Sequence, residues 1–147
     1  MKKIILFLAI LSVSFFSSCS KDDDSNNSTP TPEGFVSAKI NGVQKNFTVI
    51  DVDVIEYPEY TDVEITAHLN NDPSNTFELN LTRDSGEIYF VQYSEIENYY
   101  QPSETFTITI NENTTNKLKG TLTGTMNHSF NILEPITVTE GTFDINY

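Results

Sequence analysis

Phe35-Val36-Ser37-Ala38-Lys39-Ile40-Asn41-Gly42-Val43 is the stretch on which the fold turns. Val36, Ala38 and Ile40 alternate with Ser37 and Lys39, the period-two pattern of a strand with one buried face. Asn41-Gly42 is a two-residue connection built from residues that tolerate positive φ. A hairpin therefore opens the domain, and the same period recurs downstream. Phe47 and Val49 share one parity while Ile50, Val52 and Val54 share the other, which places a bulge or corner near Val49. Val63, Ile65, Ala67 and Leu69 alternate with Asp62, Glu64, Thr66 and His68, putting His68 on the wet face. Phe77, Leu79 and Leu81 follow a polar loop over 70–75, and Asp84-Ser85-Gly86 turns the chain into 88–93. That run is apolar on both parities and suits a central strand.

Ser94-Glu95-Ile96-Glu97 has the spacing of a capping box and predicts one or two helical turns before Pro102. Phe106, Ile108 and Ile110 then resume alternation, followed by a polar loop over 111–116. Leu118, Leu122 and Met126 share a parity with Gly120 and Gly124. Glycine on a buried strand face admits a bulky neighbour from across the core, here one of the phenylalanines or tyrosines; the alternative is a groove kept open for a ligand. Ile136 and Val138 occupy one parity and Phe143, Ile145 and Tyr147 the other, with a bulge expected at Gly141. Eight or nine short strands joined by brief turns predict an all-β domain, an antiparallel two-sheet sandwich, with a small β-barrel as the alternative.

Upstream, Met1-Lys2-Lys3 places positive charge before an apolar run too short to span a bilayer, which predicts a signal peptide over 1–18. Phe15-Phe16-Ser17-Ser18-Cys19 resembles the lipobox of bacterial lipoproteins, with small residues before the cysteine and Phe16 where Leu is usual. The resemblance implies cleavage before Cys19 and a thioether-linked diacylglycerol on it. Cys19 is the sole cysteine, so no disulfide is available to the domain. Residues 19–34 form the lipidated cysteine and a polar tether without core-forming side chains, expected to be disordered, with a reach of about 20 Å. The domain proper is expected over 35–147. Lys21-Asp22-Asp23-Asp24 resembles the export signal of surface lipoproteins of the Bacteroidota, which implies an outer-membrane, lipid-anchored, surface-exposed protein.

A wider resemblance covers the mature domain loosely. Phe35 to Gly42, Leu118-Lys119-Gly120-Thr121-Leu122-Thr123-Gly124-Thr125 and Val138-Thr139-Glu140-Gly141-Thr142-Phe143-Asp144-Ile145 are similar to flavobacterial-type surface lipoproteins with a small β-rich domain. That family implies a fold and an address but no established activity, and it supplies no site residues.

Removing Lys2 and Lys3 with the leader leaves six basic residues against 21 acidic ones, a formal charge of −15. Such a surface repels nucleic acid, so no nucleic-acid partner is expected; the membrane is reached through lipidated Cys19. Nucleophilic catalysis lacks its signatures: Cys19 is committed and no Gly-x-Ser-x-Gly elbow occurs. His68 and His128, sixty positions apart, show no zinc-ligand spacing and read as surface residues. Asp51 and Asp53 on one strand face, and Asn70-Asn71-Asp72 in one loop, bring hard oxygen ligands without an EF-hand pattern, so neither a metal nor a cofactor is expected. Tyr57, Tyr60, Tyr93, Tyr99 and Tyr100 fall in or near predicted loops. Tyr57, Tyr60, Tyr99 and Tyr100 are the candidate binding residues for a glycan or protein ligand. The expected function is a non-enzymatic binding or structural module of the envelope; the alternative is a carboxylate-based hydrolase acting on glycans.

Overall fold

The computed structural model describes residues 33–147. The described residues form nine strands: β1 (Glu33–Ile40), β2 (Val43–Glu56), β3 (Thr61–Leu69), β4 (Asp72–Thr82), β5 (Glu87–Glu95), β6 (Asn98–Pro102), β7 (Thr107–Asn113), β8 (Lys117–His128) and β9 (Ile136–Asn146). The domain is all-β, and β1 begins two residues before the expected boundary, Glu33 and Gly34 pairing with Asn146 and Ile145 of β9.

All pairings are antiparallel. β1 to β6 form a meander, β1 also pairs with β9, β9 with β8, and β8 with β6, so one sheet closes on itself. The molecule is therefore an eight-stranded barrel with β7 as a ninth strand outside the closed ring, and the sandwich expectation gives way to the barrel alternative. Alternation states which side chains point inward but not whether the last strand returns to the first. That depends on tilt and register across the whole sheet.

Closure is narrow. On one edge β8 pairs with β9 along nearly its whole length. Its other edge is divided: Leu118–Thr123 pair with β7, and only Met126, Asn127 and His128 pair with β6. Gly124 marks the division. Its φ is +133°, and a Cβ there would lie 2.4 Å from the Thr105 carbonyl oxygen and 2.5 Å from Phe106 Cα, so the chain entering β7 crosses β8 where no side chain intervenes.

The interior is packed with side chains, as an eight-stranded barrel of ordinary size requires. Val36, Ala38, Val63, Ile65, Ala67 and Leu79 are buried, all on the parity predicted to point inward. Phe47 lies 5.9 Å from Phe77 and 6.0 Å from Tyr93, ring centre to ring centre. Each such ring removed from water contributes about 1.5–3 kcal/mol. The space vacated at Gly120 is taken by the ring of Phe143, whose Cζ lies 2.4 Å from the Cβ position. The bulky neighbour is thus aromatic, as expected, but it comes from the paired strand β9 rather than from across the core.

The turns follow local chemistry with one exception. Asn41 and Gly42 take φ of 49° and 80°, the backbone a two-residue hairpin needs. The parity change near Val49 is a bulge at Ile50, and that in β9 lies at Glu140-Gly141. The polar segment 70–75 is shorter as a loop than expected. Asn70 and Asn71, both at positive φ, make the turn, and β4 starts at Asp72, whose carboxylate accepts from Ser74 N–H at 2.9 Å and Asn75 Nδ2 at 2.8 Å. The exception is 94–101, where the helical turns expected from the capping-box spacing are absent. Ile96 and Glu97, at φ of 48° and 65°, form a tight turn between β5 and β6. Strand pairing on both sides satisfies the backbone groups that a helix would have satisfied internally.

Candidate functional site

Segment 88–93 corrects a further expectation and exposes the site. β4 covers one edge of β5 over its full length, but β6 covers the other edge only at Tyr93, Ser94 and Glu95. β5 is therefore not a central strand along Glu87–Gln92, where that edge is unpaired. The apolar residues on its second face are not buried by another layer. Tyr89 is exposed and Phe90 half-buried, and together they help to line a cleft of about 540 Å³ between β5 and β7. Ile88 and Val91 from β5, Phe106 and Ile108 from the β7 side, and Gln101 and Pro102 from the end of β6 complete it, with Gly86 at one end.

Two side-chain clamps fix one end of this cleft, beside Gly86. Asn113, the last residue of β7, donates from Nδ2 to the Arg83 carbonyl at 2.6 Å and so holds β7 beside the β4–β5 turn. Its Oδ1 is buried and has no hydrogen-bond partner among the described residues. Arg83 in turn donates to Thr61 Oγ1 at 3.1 Å, and Thr61 N–H donates to Asp84 Oδ2 at 3.0 Å. These contacts tie the β2–β3 turn to the same end of the barrel. A bond from Tyr57 N–H to the Tyr60 carbonyl at 2.9 Å closes that turn.

Of the four candidate tyrosines, the structure brings together Tyr57 and Tyr60. Both are exposed, and their rings stack at 4.7 Å with planes 28° apart. Tyr89 extends the pair towards the cleft. Its hydroxyl is held above the usual tyrosine value, chiefly by partial burial, with the Asp62 and Glu64 carboxylates and neighbouring Tyr57 adding to the rise. At neutral pH it is a neutral donor facing an acidic surround.

Tyr99 and Tyr100 lie on β6, towards the opposite end. Tyr99 is exposed, but Tyr100 belongs to the core: it stacks on buried Tyr93 at 5.9 Å and meets the His128 ring edge-on at 5.4 Å. His68 is half-exposed as expected, whereas His128 is buried rather than at the surface, its Nδ1 accepting from Phe130 N–H at 3.2 Å. Cys19, Lys21, Asp22, Asp23 and Asp24 lie outside the described residues.

No group of three or more His, Cys, Asp or Glu side chains comes together to hold a metal ion among the described residues. The cleft walls offer aromatic faces, aliphatic carbon, the Gln101 amide and unpaired strand backbone, which is chemistry for contact and hydrogen bonding. The sequence reading missed Tyr89, Phe90, Phe106 and Ile108 as site residues, although the signal for Tyr89 and Phe90 was present in the two-sided apolar run 88–93. No family model, curated protein or solved structure matches the chain.

Proposed function

We propose that this chain is a lipid-anchored envelope protein, held at the outer membrane through Cys19 and exposed at the cell surface, whose barrel is a non-enzymatic binding module. One observation carries the binding role: β5 presents Tyr89 and Phe90 on the face that the fold leaves uncovered. Tyr89 and Phe90 stand in a cleft, and Tyr89 also neighbours Tyr57 of the stacked Tyr57–Tyr60 pair. Apolar side chains of this size left at a surface cost solvation, and a contiguous patch of them marks a contact surface. The polar leader-proximal sequence, with Lys21 and three aspartates after Cys19, supports the address.

Two measurements test the two halves of this reading. Mass spectrometry of the mature product should find a diacylglyceryl-modified Cys19 as its first residue; an unmodified thiol removes the anchor. For the binding role, the detergent-solubilised mature chain is applied to glycan and peptide arrays, with Tyr89→Ala and Tyr57→Ala as comparisons. Saturable binding weakened at least about tenfold by either change supports the surface. Silence on both arrays, or binding indifferent to both changes, rules it out.

A further inference from the structure

We propose that the slot between β5 and β7 receives an extended, basic peptide as an added strand, a statement that deepens the binding-module reading and rests on it. The slot lies between two strand edges that have no partner among the described residues. Among these residues β5 is unpaired on its β6 side over Glu87–Gln92, and β7 pairs with β8 alone. Backbone N–H and C=O groups along such edges are obligatory hydrogen-bonding groups, and an incoming strand satisfies them from both sides at once. Five residues of β5, Glu87 to Val91, offer an edge of about 17 Å, and the cleft volume of about 540 Å³ suits a short segment.

Side chains that alternate along a bound strand meet different surroundings. Those pointing inward meet Ile88, Val91, Phe106 and Ile108; those pointing outward pass the exposed carboxylates Glu87, Glu104 and Glu112. The complementary sequence therefore alternates aliphatic with basic residues. At the Gly86 end, Asn113 holds its Nδ2 on the Arg83 carbonyl and keeps a buried Oδ1 without a donor among the described residues, an acceptor to which a backbone N–H of the bound chain can donate.

A second copy of the barrel is the poorer occupant. Bulges at Tyr89 in β5 and Asn111 in β7 twist both edges, which hinders flat pairing between rigid sheets while a flexible peptide follows the twist. Like charge on two copies opposes it further.

The test titrates the isotope-labelled mature chain, in detergent micelles, with the peptide acetyl-Lys-Val-Lys-Val-Lys-amide. Two comparison peptides carry glutamate in place of lysine, or N-methyl groups on alternate backbone nitrogens. Saturable binding is expected, with shift changes and exchange protection at Glu87–Gln92 and Thr107–Ile110, and with both comparison peptides at least about tenfold weaker. Glu87→Lys with Glu112→Lys, both at exposed positions, should weaken the basic peptide at least about fivefold without lowering the melting temperature. Equal binding of the N-methylated peptide, perturbation confined to another surface, dimerisation through β5, or no saturation by about 1 mM overturns the proposal. If the peptide fails while a glycan binds and Tyr89→Ala abolishes it, the binding module stands and the added strand falls. If peptide and glycan both fail, both fall.

Discussion

A methyl group added at Gly120 would meet Phe143 Cζ at 2.4 Å and the Thr109 carbonyl oxygen at 2.3 Å. The ring can shift, but the carbonyl belongs to β7 and is held by its pairing with Thr121. Overpacking of this kind costs about 1–3 kcal/mol, so Gly120→Ala should lower the urea midpoint accordingly. A change below about 0.5 kcal/mol would mean that β7 yields easily.

A second local arrangement governs behaviour in acid. Lys45 Nζ lies 2.8 Å from Tyr93 Oη and 2.5 Å from Glu95 Oε1, and its ammonium stands 5.4 Å from the Tyr93 ring centre. Burial pushes the Tyr93 hydroxyl far up, so it stays neutral. The hydrogen bond from the Lys45 ammonium holds the Glu95 carboxyl below its ordinary 4.5 against the opposing effect of burial, with the Tyr93 hydroxyl helping to lower it. A carboxylate with a lowered folded value stabilises the fold above its unfolded value, and the contribution vanishes as pH falls through the folded one. Because the Glu95 side chain is 44% exposed, Glu95→Gln should cost less than about 1 kcal/mol at neutral pH. Its difference from the parent should close below pH 4.5. Urea unfolding at about pH 7 and about pH 3 measures this; a difference that grows in acid would contradict the assigned ion pair.

Among the elements, the β5–β6 hairpin is the one whose sequence opposes its shape. Ile96 and Glu97 hold positive φ where Asn-Gly would fit, and a β-branched residue there is strained by about 1–3 kcal/mol. Ile96 is 69% exposed and so recovers little by burial. Replacing the pair, Ile96→Asn with Glu97→Gly, should raise stability by about 1–2 kcal/mol in thermal or urea unfolding; a loss of stability would show that Ile96 is held by contacts worth more than its strain.

The same hairpin shows where sequence reading stops. Asn41-Gly42 declares its turn through residues that accept its φ, and Val63, Ile65 and Ala67 declare their face through strict alternation. Ile96-Glu97 carries no such chemistry, and its capping-box spacing points to a helix that tertiary pairing overrides. Closure was equally hidden, because three residue pairs between β6 and β8 leave no local trace. Of the site, Tyr57 and Tyr60 were legible because one turn holds both. Tyr100 was not, because its burial follows from the register of β6 against Tyr93 and His128. The apolar double face of 88–93 was visible, but whether a neighbour covers it depends on where β6 ends and β7 crosses.

Taken as one charged body, the barrel carries Arg83 and four lysines against eighteen carboxylates over the described residues. The lysines are all engaged: Lys39 with Glu140 at 2.6 Å, Lys45 with Glu95, and Lys117 and Lys119 with Asp144 at 3.2 and 3.3 Å. Three carboxylates are thus paired and fifteen have no ion-pair partner among those residues, so mutual repulsion outweighs the few attractions, most of which are exposed and weak. Raising sodium chloride from about 0.02 to about 0.5 M shortens the screening length from roughly 20 to roughly 4 Å, less than the spacing of most surface charges. The melting temperature should therefore rise by a few degrees, about 4–8 °C for each kcal/mol of repulsion removed. Lys119→Glu should steepen that dependence, because it takes one cation from Asp144 and adds an anion beside it. A melting temperature that falls with salt would reverse this ordering and make the four lysine pairs, rather than the surplus of carboxylates, the dominant electrostatic contribution to the barrel.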